Sequence, residues 1–154
     1  MATVTHIVTS TLNGLIETCK DGEQGFRQAA EKVQDQSLRS LFTRYSAQRA
    51  DYARSLQQLV TTLGDSPAES GHVTATLHRG WIGLKAALSK NEDKAIIDEC
   101  EAGEDAAVKA YQDAIATQLP ANIDQIVRTQ YAGIQAAHET IRNLKHNKAS
   151  IHAV

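Results

Sequence analysis

Carboxylates and a histidine at helical spacing are the groups in this chain that could do chemistry. Glu99-Cys100-Glu101-Ala102-Gly103-Glu104-Asp105 places four carboxylates in seven residues, and Gln135-Ala136-Ala137-His138 follows later in the chain. Residues three or four apart share a face of a helix, so Glu101 sits beside Glu104, and Gln135 beside His138. Inward-facing carboxylates and an imidazole on two facing helices can hold a metal ion. The same carboxylates can instead close on an arginine, whose planar fork meets them two bonds at a time. Arg49 is the candidate, with Gln48 beside it, and Asp21 lies in the first part of the chain. No glycine-rich phosphate loop, Cys-x-x-Cys or Ser/His/Asp arrangement competes with these groups.

The elements that must position them are four long helices. Leu12, Leu15, Cys19, Gly22, Phe26, Ala29 and Val33 recur at alternating spacings of three and four, the seam of a bundle helix from about Thr5 to Val33. Gly22 is expected where another side chain comes close, since a mid-helix glycine costs about 1 kcal/mol relative to alanine. Asp35 caps a second helix from about Gln36 to Leu63, with the seam Leu38, Phe42, Tyr45, Arg49, Tyr52, Leu56, Leu59 and Leu63. Gly64 ends it. Ser66-Pro67-Ala68-Glu69 is a helix-start signal, and a shorter crossover segment from about Val73 to Leu88 carries Arg79-Gly80-Trp81, with Trp81 as a packing anchor. The next helix, about Glu92 to Thr117, is capped from Ser89 or Asn91 and has the seam Ile97, Cys100, Glu104, Ala107, Tyr111 and Ala114. Pro120 opens the last, to about Lys145, with Ile123, Val127, Tyr131, Ile134, His138, Ile141 and Lys145. Residues Asn147 to Val154 are expected to fray.

Two hairpins follow from these spans. Folding the first pair around Asp35 sets Asp21 and Gly22 opposite Arg49 and Gln48. Folding the second around residues 119 and 120 sets Glu101 opposite His138, and Glu104 opposite Gln135. Side by side, the hairpins make one buried polar layer of Asp21, Gln48, Arg49, Glu101, Glu104, Gln135 and His138. A buried charge is costly unless paired, so such a layer is internally satisfied or holds an ion. In the ion-pair reading, Arg49 meets Asp21 and one of Glu101 or Glu104, and His138 bonds the other carboxylate. In the metal reading, iron or manganese is held by some of Glu101, Glu104, His138 and Asp21. Di-iron bundles carry a Glu on each of two helices and Glu-x-x-His on each of the other two. Here Gln135 stands where a carboxylate belongs, and Gln48-x-x-Asp51 has no histidine at all. The ion-pair layer, without a cofactor, is therefore the expected arrangement.

Length and composition bound the rest. With 154 residues, 42% of them hydrophobic and only two prolines, the chain reads as one helical domain over 1–154. A net charge of −2 with interspersed signs argues against nucleic acid or an anionic membrane as partner. The N-terminus lacks a basic and apolar leader, and no run reaches the length of a membrane span, so a cytoplasmic location is expected. Cys19 and Cys100 then read as buried, reduced thiols. A homodimer is the assembly that symmetry makes commonest.

Asp21-Gly22, Gln48-Arg49, Arg79-Gly80-Trp81, Glu101-x-x-Glu104-Asp105 and His138 together resemble a bacterial family of ferritin-like four-helix-bundle proteins of unknown function. The resemblance covers nearly the whole chain. It implies an all-α, up-down-down-up bundle with a shorter crossover helix between the second and third long helices. It implies no reaction, and the wider ferritin-like superfamily suggests iron, oxidant or stress roles only by analogy of fold.

Overall fold

A computed structural model describes the backbone of residues 2–68 and 80–153, with side chains at 4–68 and 80–146. Among the described residues there are four long helices and one short one: α1 (Ala2–Lys32), α2 (Gln36–Thr62), α3 (Leu84–Ser89), α4 (Asp93–Ala116) and α5 (Ala121–Ala153). Glu69, Gly71, His72, Val73, His78, Arg79 and His152 lie outside the described side chains, so the capping box at Ser66 and the start of the crossover segment at Val73 lie partly beyond them. Two ends differ from expectation. α1 begins at Ala2, before Thr5, and the α5 backbone stays helical to Ala153 where fraying was expected.

α1 packs on α2 and α4, and α5 packs on α4 and α2, so α2 and α4 face each other across the diagonal. Every neighbouring pair runs antiparallel, as Ser46 with Glu23, Cys19 with Tyr111, and Gln130 with Tyr52 show. The order is up-down-down-up, so the end of α2 and the start of α4 lie at opposite ends of the bundle. Local chemistry sets the corners. The Asp35 carboxylate accepts from the Ser37 and Leu38 amides, the expected N-cap of α2. Gly64, at φ 84°, ends α2, its amide bonding to Thr61 while that of Asp65 reaches Val60. This is the paired closure of a Schellman motif, which requires a left-handed residue. Asp93, at the start of α4, accepts from the Gln34 and Asp35 amides at 2.8 and 3.0 Å. That carboxylate therefore ties the α1–α2 corner to the second half of the chain.

The apolar core has two clusters. One gathers Leu12, Leu15, Ile16, Leu56, Val60 and Val127 around Tyr111. The other gathers Phe26, Phe42, Leu84, Ile96, Ile97 and Cys100 around Trp81. Trp81 is 2% exposed and its indole lies between α1 and α4. A Cβ at Gly25 or at Gly103 would fall 2.4 or 2.1 Å from its ring atoms, so both helices must carry glycine there. Phe26 meets the indole edge-on with centroids 5.0 Å apart. Ile82, the next residue, is exposed.

Candidate functional site

Arg49 is the one seam residue of α2 that carries a charge, and it points inward. Its guanidinium donates from Nη1 and Nη2 to the two carboxylate oxygens of Glu104 at 2.5 and 2.7 Å. The two side chains are 1% and 0% exposed. Nε donates to Gln48 at 3.2 Å. Gly22 on α1 gives the stem room: a Cβ there would sit 3.3 Å from Arg49 Cγ. The Phe26 ring lies under the guanidinium, 5.3 Å from its centroid, a cation–π arrangement. Burial opposes the charge on Arg49, but the attraction and hydrogen bonds of Glu104 outweigh it and hold its pKa above the ordinary arginine value. Because α2 and α4 do not touch along their backbones, this ion pair is the bridge that joins the diagonal through the centre of the bundle.

A second polar chain lies beside it. Gln130 on α5 is buried; its amide nitrogen donates to the Tyr52 carbonyl on α2 and its oxygen accepts from the Tyr111 hydroxyl on α4 at 2.7 Å. Cys19 on α1 lies 3.1 Å from the same hydroxyl. Tyr111 has one proton, given to Gln130, so the Cys19 thiol is the donor to Tyr111. Thiol, phenol and amide thus connect all four long helices. Burial raises the Cys19 pKa to about 11, and raises those of Tyr111 and Cys100 well above their ordinary values. Both cysteines are buried thiols without a disulfide.

Three of the sequence-predicted residues, Gln135, His138 and Glu101, do not converge on this centre. Gln135 is exposed, not buried opposite Glu104. His138 reaches Asp105 instead of Glu101, at 2.5 Å and near the surface. Glu101 is engaged by Lys145 at 3.0 Å. Asp21 is buried one residue before Gly22, and Gln48 is half-buried. The shift of His138 from Glu101 to Asp105 is about one helical turn. Residues 117–120 join α4 to α5, with Gln118 at φ 61°, and they carry the chain past the end of α4 before α5 begins. The buried stripe of α5 is also turned from the expected one. It runs Ile123, Val127, Gln130, Ile134, Ala137, Ile141, with Gln130 and Ala137 in place of Tyr131 and His138.

A metal site is implied by the fold class, and these residues do not fit it. Glu104 is saturated by a guanidinium that already supplies the counter-charge. Glu101 and His138 face other partners on the outside of α4–α5. Among the described residues no three histidine, cysteine or acidic side chains gather closely enough to ligate one ion.

Fold and centre together define a ferritin-like four-helix bundle with an ion pair across its core. The chain belongs to the family described as a domain of unknown function, DUF2383, whose pattern matches residues 7–117. A solved structure of a Dps1 mutant from Mycobacterium smegmatis is similar, with a TM-score of 0.73 at 11% sequence identity, covering 92% of this chain and 96% of that one. At that identity the likeness is one of fold alone. No curated protein matches the sequence. Among the described residues no helix is long and apolar enough to cross a membrane.

Proposed function

We propose that this protein is a ferritin-like bundle whose core holds an ion pair in place of a metal centre, and that it works by binding or assembly, not by catalysis. The observation that carries the reading is the Arg49–Glu104 fork: a permanent cation occupies the carboxylate that a core metal would need. Two protonated, buried thiols and a buried phenol add no accessible nucleophile. The near-balanced charge supports a protein partner or a second copy of the chain over nucleic acid. A cytoplasmic role in stress or stationary-phase physiology belongs to this reading by analogy of fold.

The test is elemental analysis of protein purified without chelator, with iron and manganese added back to a parallel sample. The expected result is no stoichiometric metal in either sample, unchanged in His138→Ala and Glu101→Ala. Stoichiometric metal that disappears in those variants would overturn the reading in favour of an oxidoreductase with a non-standard site.

A further inference from the structure

Charges of both signs alternate along one side of α1. Lys20, Glu23, Arg27 and Glu31 stand three or four residues apart, so they form a single row on the helix, reading plus, minus, plus, minus. Lys20 and Glu23 meet at 3.5 Å. Arg27 and Glu31 are exposed, and among the described residues neither has an ion-pair partner. They are four apart, but with the arginine first, which is the less favourable order for a pair within one helix. The chain therefore leaves half of this row unmatched.

Beside the row, α1 and α2 leave an outward groove of about 610 Å³, with Glu23, Arg27 and Glu31 along its α1 rim. The α2 rim is low. Thr43, Ser46 and Ala47 line it, and Arg39 is its one long side chain. The Ser46 hydroxyl donates to the Glu23 carbonyl at 2.8 Å, and Arg39 donates to the Val33 carbonyl at 3.0 Å. Small side chains on one ridge let another helix come close and set its own ridge into the groove.

Taking the protein to work by assembly, as above, we propose that this groove receives α1 of a second copy of the chain, antiparallel, about a twofold axis that passes between Glu23 and Arg27. Turned end for end, the row reads minus, plus, minus, plus, so every charge meets its opposite. Lys20 faces Glu31 of the second copy, Glu23 faces its Arg27, and the axis repeats both pairs. The row sums to zero charge, so nucleic acid or a uniformly charged protein would meet as many like charges as opposite ones. Another α1 meets opposite charges throughout. The small residues on α2 give the incoming row its room.

The test is sedimentation velocity on the purified chain, from micromolar to submillimolar concentration, with metal content measured on the same samples. A dimer is expected. Glu23→Arg alone and Arg27→Glu alone each set like charges face to face on both sides of the axis. Each should weaken the dimer roughly tenfold or more while keeping the helical signal, since like charges across an interface are costly and surface changes cost the fold little. An equimolar mixture of the two variants restores every opposite pair in a mixed dimer, and should recover the wild-type affinity. A wild type that stays monomeric overturns the proposal. So does a dimer that neither variant weakens, or a mixture that fails to recover. Metal bears only on the preceding reading: a dimer carrying stoichiometric metal overturns that reading and leaves this one standing, and a metal-free monomer does the reverse.

Discussion

The centre of the bundle and the outer face of its α4–α5 hairpin use the same kinds of group to different ends. In the centre, Arg49 and Glu104 are sealed from water and joined by two parallel bonds. On the outer face, Asp98, Glu101 and Asp105 recur along α4 and meet Lys145 and His138 from α5. There the side chains are partly exposed, they must be ordered to pair, and salt screens the attraction. The difference teaches that a charged residue's weight in this chain follows from burial and geometry, not from how many opposite charges it has nearby.

The largest break in that comparison is Arg49→Ala. It leaves Glu104 buried and unpaired, and a loss of about 3–5 kcal/mol in urea unfolding is expected. The double variant Arg49→Met with Glu104→Leu should recover most of that loss, since removing both charges removes the desolvation problem. A loss from Arg49→Ala within about 0.5 kcal/mol, the range of surface changes, would place the side chain in solvent. Gly103→Ala comes next. Its methyl has no room beside Trp81, and about 1–3 kcal/mol should be lost in thermal or urea unfolding. Tyr111→Phe takes the only hydroxyl between Gln130 and Cys19; leaving those groups unpartnered should cost about 1–3 kcal/mol, with the native helical signal kept. The smallest effects belong to the surface. Lys145→Ala and His138→Ala should each change stability by no more than about 1 kcal/mol, and less at high salt.

The pH dependence sharpens the same contrast. Burial raises the Cys19 pKa to about 11 from 9.0. Below pH 9 the thiol is protonated in both folded and unfolded chains and leaves stability unchanged. Between 9 and about 11 only the unfolded chain loses the proton, so stability should fall across that window, and Cys100 acts in the same direction. Lys145, on the surface, has its pKa raised by its hydrogen bond to Glu101. Its contribution is complete below the ordinary lysine value and fades as the pH passes the folded one. Thermal unfolding at pH 8 and pH 10.5 should show the fall in the wild type and a smaller one in Cys19→Ala.

The seams of α1 and α4 were legible residue by residue. Leu12 through Val33 and Ile97 through Ala114 are apolar or small at nearly every inward position, and all of those positions are buried. Asp35, Gly64 and Gly22 were also readable, because capping, left-handed closure and close approach each demand a particular residue type. α5 was not. Its inward stripe passes through polar Gln130 and small Ala137, while larger Tyr131 and the titratable His138 stand one position away, so size and chemistry pointed to the wrong face. Within the centre, the Arg49–Glu104 partnership could be anticipated from two charges in facing seams. The Cys19–Tyr111–Gln130 chain could not, since it depends on an axial offset set by the link at residues 117–120. The glycines at 25 and 103 gave no sign of their role, because what they accommodate comes from the crossover and not from either helix.

The carboxylate of Asp93 has a consequence for the order in which the molecule assembles. α1 and α2 are adjacent in sequence, and their hairpin can close early, since local contacts require little loop entropy. Yet two amides at its corner, those of Gln34 and Asp35, are bonded by a side chain fifty-eight residues or more away. A chain that has folded only its first hairpin leaves those N–H groups to water. Their slowing of deuterium uptake during refolding therefore marks the arrival of α4, and separates the closing of one hairpin from the meeting of two.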